Sequence, residues 1–370
     1  MHIIISTNEL LKSVQIVQSI AQKRNTIPVL SNILIEVQSN YLRLQSSDLD
    51  IDLQILKSCE VFSTGVITVN AKAFSDVVKF LPGEFVTLQL LENGYLQIKS
   101  GKTLANLITL YSEDYPLFPD IDETFFKNVR IKKLLDAMQK AVHFTSTEVS
   151  RYSMTGVYVE PGTLKNSLVS TDGHRLSKYE TEINEIFPLL KMPILLPRKG
   201  LQELLKILEQ CIDHERFCMF GLTDTMAVLK IDDTTLCMKL MELAFPEYEK
   251  IIPEKSRNFF ISSRVNLINS LKRVSVLASD KNQGVKFRLN CNGLQVSCFN
   301  PNLGEICDDL AVIYSGPEIE SSFVVAYVID ALSLLSDLNV MISFEDEKSP
   351  VVLTGELEKH HICVVMPIYY

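Results

Sequence analysis

Leu10-Leu11-Lys12-Ser13-Val14-Gln15-Ile16-Val17 returns in pattern as Leu134-Leu135-Asp136-Ala137-Met138-Gln139-Lys140-Ala141-Val142, and again as Leu267-Ile268-Asn269-Ser270-Leu271-Lys272-Arg273-Val274. Each stretch carries apolar residues at helical spacing and so predicts a helix with one face to bury. Strand-like alternation follows, as in Ile33-Leu34-Ile35-Glu36-Val37 and Val285-Lys286-Phe287-Arg288-Leu289. A second kind of helix recurs midway through each unit: Ala71 to Leu81, Arg198 to Leu208 and Tyr327 to Leu335. An aromatic or Met before proline marks each unit's end, at Tyr115-Pro116, Phe245-Pro246 and Met366-Pro367, spaced 130 and 121 residues apart. Marks of three kinds recur in one order, which reads as an internal threefold repeat.

Each unit reads as helix, strands, helix, strands. The strands alternate, as in Tyr95-Leu96-Gln97-Ile98-Lys99-Ser100, which implies antiparallel sheets with one face buried and the other wet. The expected fold class is therefore α+β: three similar domains, residues 1–126, 127–257 and 258–370, each with two helices packed on antiparallel sheet. An apolar share of 46% with 22% charged residues excludes a mostly disordered chain. Apolar runs such as Phe187-Pro188-Leu189-Leu190 fall far short of the ~20 residues that cross a bilayer. The start, Met1-His2-Ile3-Ile4-Ile5-Ser6, lacks the pattern of a secretory signal. The expectation is a cytoplasmic protein with no membrane association, its eight cysteines kept as reduced core thiols.

Three strings invite a chemical reading. Ser100-Gly101-Lys102-Thr103 resembles the end of a phosphate-binding loop, but the glycine needed five positions before Gly101 is Leu96, inside an alternating strand. It reads as a strand turn. His360, His361 and Cys363 lie close together, yet neighbours on a strand point to opposite faces, so no metal site is expected. In Thr171-Asp172-Gly173-His174-Arg175-Leu176, Asp172 could orient His174 as the general base of a hydrolase. Asp-Gly is first a turn signal, and the string lies between strand-like stretches with no evident nucleophile, which favours a structural or recognition turn.

Charge is segregated. The chain's net charge is −9, which argues against a polyanion partner in bulk. The predicted helices nevertheless hold twelve bases, Lys12, Lys72, Lys79, Lys132, Lys133, Lys140, Arg198, Lys199, Lys206, Arg264, Lys272 and Arg273. Against them stand six acids, Glu9, Asp76, Asp136, Glu203, Glu209 and Asp330. The helices thus carry +6 and the rest of the chain −15. Six helices sharing one face would present a positive surface on an acidic protein, suited to a polyanion.

With these strings in place the chain resembles the bacterial DNA polymerase III beta subunit family, the sliding clamps. The matching strings are Arg24-Asn25-Thr26-Ile27-Pro28-Val29-Leu30, Ser170 to Leu176, Pro197-Arg198-Lys199-Gly200, Phe245-Pro246-Glu247-Tyr248 and Val364-Val365-Met366-Pro367. The resemblance covers essentially the whole length and implies the DNA clamp fold, closed as a ring-shaped head-to-tail homodimer. Twelve helices spaced about 10 Å apart would line a hole about 28 Å wide, room for duplex DNA and a layer of water. It further implies a non-catalytic processivity subunit without a cofactor, holding double-stranded DNA independently of sequence. The partners implied are the replicative DNA polymerase alpha subunit, a clamp-loader complex, and other replication and repair proteins bearing short Leu/Phe-containing peptides. A static DNA-binding scaffold is the remaining alternative.

Carried over by position, the resemblance places DNA contacts at Arg24, Lys72, Glu148, Tyr152, Ser153, Arg198 and Lys199. It places a partner-peptide pocket at Met154, Thr171, Gly173, His174, Arg175, Leu176, Pro246, Lys250, Ile251, Tyr327, Val364, Val365, Met366, Pro367 and Ile368. A dimer seam would join Val276 and Leu277 to Ala105 and Leu107. The chain departs from the family pattern at Lys72 (an arginine elsewhere), Ser153 (an aromatic), Met154 (a smaller aliphatic), Ala105 (a larger aromatic) and the Tyr369-Tyr370 tail.

Overall fold

In the computed structural model six units follow one another, each a strand, a helix and three more strands. The structure describes residues 1–21, 27–182, 186–187, 190–242, 244–253, 258–278 and 284–369. The first unit is β1 (His2–Ser6), α1 (Thr7–Gln18), β2 (Asn32–Val37), β3 (Tyr41–Ser47) and β4 (Ile51–Ser58). A short extra strand, β5 (Glu60–Ser63), precedes the second: β6 (Gly65–Asn70), α2 (Ala71–Lys79), β7 (Phe85–Leu90), β8 (Tyr95–Ser100) and β9 (Thr103–Leu110). The third is β10 (Phe126–Arg130), α3 (Ile131–Val142), β11 (Gly156–Glu160), β12 (Lys165–Thr171) and β13 (Arg175–Glu182). The fourth is β14 (Ile194–Pro197), α4 (Arg198–Glu209), β15 (Phe217–Leu222), β16 (Met226–Ile231) and β17 (Thr234–Lys239). The fifth is β18 (Asn258–Ser263), α5 (Arg264–Val274), β19 (Gly284–Asn290), β20 (Gly293–Asn300) and β21 (Gly304–Leu310). The sixth is β22 (Ile319–Val324), α6 (Val325–Leu334), β23 (Asn339–Phe344), β24 (Val351–Gly355) and β25 (His361–Val365).

The repeat is therefore twice as fine as the sequence suggests. Within each third the two units exchange leading strands: β1 pairs with β7 and β6 with β2, β10 with β15 and β14 with β11, β18 with β23 and β22 with β19. All of these pairings are antiparallel, as the alternation requires. The third strand of a trio can then meet the third strand of another. β17 continues β4 (Cys237 opposite Asp52), and β25 continues β13 (Val364 opposite Leu176).

The chain divides into two compact units, Met1–Leu135 with Lys199–Leu240, and Asp136–Arg198 with Met241–Tyr370. The first holds a 13-stranded sheet running from β10 to β5. On its helices the buried positions are Leu10, Val14 and Val17 of α1, and Phe74 and Val78 of α2, at the spacing that marks them in sequence. Asn70 caps α2 by accepting the Ala73 N–H at 3.0 Å. Gly200 is required in α4, because a Cβ there would stand 2.8 Å from that of Met238.

The second unit holds an 8-stranded and a 4-stranded sheet. Its core joins Leu267, Leu271 and Val274 of α5 to Val328, Ala331 and Leu332 of α6, with Phe287, Phe323 and Phe344 between. Phe287 and Phe323 meet edge to face at 5.4 Å. A polar cluster lies beneath β25. Ser177 gives its hydroxyl hydrogen to the Lys140 carbonyl (3.1 Å), so it accepts from the His361 Nε2–H (2.9 Å). His361 is fully buried, and burial, with help from the Lys140 charge, pushes its pKa down to about 3. Because the folded pKa lies below the unfolded one, His361 stability is complete above pH ~6.5 and is lost as pH falls toward 3. At pH 5 the loss should be about 2 kcal/mol. A urea midpoint that falls from pH 7 to pH 5 in the wild type, but less in His361→Gln, is the expected result.

All eight cysteines are free; Cys218, Cys237, Cys298 and Cys363 are buried, while Cys291 and Cys307 are exposed rather than core thiols. No helix among the described residues is long and apolar enough to cross a membrane.

Candidate functional site

The turn between β12 and β13 is built by its own side chains. Thr171 Oγ1 accepts the Gly173 N–H (3.1 Å), and Asp172 Oδ1 accepts the N–H groups of His174 (3.0 Å) and Arg175 (3.1 Å). Gly173 sits at φ +90°, where a side chain is strained, and a Cβ would stand 2.8 Å from Arg151 Nη1. Gly173→Ala should therefore destabilise the turn by about 1–2 kcal/mol, read as a lower melting temperature. The second carboxylate oxygen of Asp172 receives Arg175 Nε at 3.0 Å. Asp172 thus serves backbone amides and Arg175, not the His174 ring. The general-base arrangement of the hydrolase alternative is not formed.

Arg175 is the hub. Its guanidinium lies 4.5 Å from the ring centroids of both Phe144 and Tyr327, and its Nη1 reaches Asp330 Oδ2 at 2.5 Å. Burial works to raise the Asp330 carboxyl, but hydrogen bonds from His143 and Arg175 hold it below the usual carboxylate range. Asp330, one of the six helix acids, thus serves as a partner of Arg175. Phe144 and His143 escaped the sequence reading, and Asp330 was read only as a helix charge, since nothing local ties them to a turn more than twenty residues away.

The positions assigned to a pocket fall into two groups. Thr171, Leu176, Val364, Val365 and Pro367 are buried and form the floor, with Leu176 and Val364 joined to Val169 and Tyr248 in one apolar cluster. Gly173, His174, Lys250 and Met366 are exposed, and Met154, Pro246, Ile251, Tyr327 and Ile368 are half-buried, which makes a rim. His174 stacks on Tyr327 at 6.1 Å, and its carbonyl accepts the Met366 N–H at 2.9 Å. Lys250 pairs with Glu247. The structure thus brings the three sequence-distant strings of the pocket to one end of the β13–β25 pair.

Next to that rim runs a short 3-10 turn, Val149–Met154, kinked at Arg151. Tyr152 is exposed, Ser153 half-buried, and Glu148 exposed in an ion pair with Arg151 at 3.3 Å. Arg151, which sequence reasoning passed over, donates to the Asp172 carbonyl; its place beside Tyr152 was the only signal. Arg24 lies outside the described residues.

The basic helix faces are less free than their charge count implies. Lys140 is half-buried in a pair with Glu358, Lys132 reaches Glu215 at 3.3 Å, and Lys206 reaches Glu203 at 2.7 Å. Arg273 pairs with Asp308. Arg198 is half-buried and donates to the Thr145 carbonyl at 2.7 Å, and burial together with the charge of Arg175 pulls its pKa down. Lys199 pairs with Asp48. In the DNA-free chain both side chains are thus engaged within the protein. Lys72 is exposed on the first turn of α2.

The seam positions also sort differently. Val276 is 74% exposed, but Leu277 packs against the core of the second unit. On β9, Ala105 and Leu107 are half-buried, and Leu104, Ile108 and Leu110 are the exposed apolar residues. Alternation along a strand puts residues of opposite parity on opposite faces, and the sequence expectation fell on the less exposed face.

Three family profiles match the chain in order: the N-terminal domain of the DNA polymerase III beta subunit over residues 1–119, its central domain over 127–247 and its C-terminal domain over 249–369. The chain belongs to the DNA polymerase III beta subunit family. Among relatives of this beta subunit, the beta sliding clamp of Vibrio cholerae is 28% identical over 366 residues, 98% of each chain. That of Chlamydia pneumoniae is 28% identical over all of this chain and 99% of its own. The crystal structure of a sliding clamp from Bartonella birtlesii bound to griselimycin superposes with a TM-score of 0.93 at 27% identity, covering both chains fully. A Bacillus subtilis clamp, at 24% identity and a TM-score of 0.94, shares the fold over all of this chain and 99% of its own. Beta subunits of this family are non-catalytic processivity factors of three-domain clamp fold.

Proposed function

We propose that two copies of this chain close head to tail into a ring around duplex DNA and tether a replicative polymerase for processive synthesis. One observation carries the reading. Among the described residues, of the six third strands β4 meets β17 and β13 meets β25, which leaves β9 and β21 without such a partner. β21 ends its sheet, and β9 bonds β6 only through Thr109 and Leu110. A β9 edge meeting the β21 edge of a second copy continues the pattern, and two copies joined twice that way close on themselves. Leu104 and Ile108 beside Lys99 and Lys102 face, in that pairing, Val276 and Leu303 beside Glu305 and Asp309. Domain limits at 126/127 and 257/258 suit this scheme to within one residue, β10 beginning at Phe126, each domain being two units.

The pocket receives short Leu/Phe-containing peptides: an apolar floor takes the anchors, and His174, Met366 and Tyr327 at the rim fix their direction. The replicative polymerase alpha subunit, the clamp loader and other replication and repair proteins present such peptides to the cytoplasmic ring. DNA is held through its phosphates, without reading of bases, so the ring slides. The test is retention on a nicked circle after loading with a cognate clamp loader and ATP. Linearising the circle should release the protein. Equal retention on both forms would overturn the ring in favour of a static scaffold. Apparent peptide affinity should fall at least about tenfold in Met366→Asp, measured by fluorescence anisotropy, with ring mass unchanged.

A further inference from the structure

The ring reading leaves open which of the helix bases touch phosphate. We propose that the basic start of α4 is a clasp on the β3–β4 turn, and that the phosphate-facing charge rests on Lys12, Lys72, Lys79 and Lys272; this part rests on the DNA reading above.

The β3–β4 turn repeats the β12–β13 turn atom for atom. Ser47 Oγ accepts the Leu49 N–H at 3.1 Å, as Thr171 accepts that of Gly173. Asp48 Oδ1 accepts the N–H groups of Asp50 (3.1 Å) and Ile51 (2.7 Å), as Asp172 accepts those of His174 and Arg175. Leu49 stands at φ +77° where Gly173 stands at +90°. The Asp50 carbonyl accepts the Lys239 N–H at 2.8 Å, as the His174 carbonyl accepts that of Met366 at 2.9 Å. Each turn sits where one third's sheet is continued by another's. In each, the free carboxylate oxygen holds a cation: Arg175 on Asp172, Lys199 on Asp48.

The Asp48 side chain is 3% exposed, so its charge is removed from water and held by the ammonium of Lys199. A lysine in that position does not leave to follow a sliding phosphate. Arg198, its neighbour, is turned to the Thr145 carbonyl. Lys12, Lys72, Lys79 and Lys272 are the contrast. All are exposed helix residues, and none pairs with a carboxylate among the described residues. Lys72 and Lys79, seven positions apart, lie on one face of α2.

Two measurements on Lys199→Met, Lys72→Met and Lys79→Met separate clasp from hand. The first is the slope of log affinity against log salt for a short duplex. Removing a base that neutralises one phosphate lowers the slope by about 0.9. The expected result is a shallower slope in Lys72→Met and Lys79→Met, and the wild-type slope in Lys199→Met. The second is amide exchange of the free protein, which reads the clasp whether or not the protein binds DNA. Asp50 and Ile51 should exchange at least about tenfold faster in Lys199→Met, with the His174 and Arg175 amides unchanged. Should Lys199→Met fail to fold, Asp48→Asn keeps the backbone caps without the charge pair and should give the same local loss. A slope reduced by about 0.9 in Lys199→Met, or unchanged Asp50 and Ile51 protection in both clasp variants, overturns the assignment.

Discussion

Arg175→Ala should lower the unfolding free energy by about 3–5 kcal/mol. Its guanidinium holds Asp172 and Asp330 and fills the space between Phe144 and Tyr327. Truncation leaves two partly buried carboxylates without their cation and two ring faces uncovered. Asp330 keeps His143 but loses the other group that holds its carboxyl below the usual range, so its pKa should rise. Arg175→Lys should recover little, because an ammonium cannot make the fork to both acids and stack on two rings. The check is the urea midpoint of each variant, with peptide affinity measured alongside. Since the Asp172 turn shapes the pocket rim, affinity should fall at least about tenfold where the fold persists. A midpoint within error of wild type would mean the hub contributes nothing.

The second large effect concerns closure. Leu104→Asp combined with Ile108→Asp should turn a dimer into monomers. Each burial of an unpaired carboxylate costs about 3 kcal/mol, so the pair should weaken each of the ring's two seams roughly ten-thousandfold. Light scattering should give half the wild-type mass, and retention on circular DNA should vanish with it. Val276→Asp should act in the same direction with a smaller effect. Leu277 is a poor probe, since it packs against its own core and its replacement would disturb folding. Dimer mass persisting in the double variant would place the seam elsewhere.

What the sequence makes legible follows from what is local. The helices are read from a 3.6-residue period and the strands from alternation, and both fall where expected: the first copy spans Thr7–Gln18, and Tyr95–Ser100 is a strand. The Thr171–Leu176 string is a turn because Asp172 caps its own neighbours, information contained in five residues. Pairing across the chain is not local. Lys140 meets Glu358, 218 residues away, and Lys199 meets Asp48, 151 away, so counting charge on helices overstates what is available. The exchange of leading strands was equally hidden, for a strand's pattern records which face is buried and not which neighbour bonds its edge. Alternation gives nothing to select between Leu104 and Ile108 on one side of β9 and Ala105 and Leu107 on the other, because both faces of the strand are apolar.

The pairing of β13 with β25 has a consequence during synthesis. Arg175 lies opposite Val365, and the His174 carbonyl waits for the Met366 N–H. A ribosome that has finished the first two thirds has therefore made the turn but not the strand that completes its floor. Chains fold largely in the order they are made, so a growing chain offers partners no finished docking site. β4 meets β17 much sooner in translation. On the proposed pocket, competence to recruit a polymerase thus waits for β25, after the parts that would hold DNA have been translated.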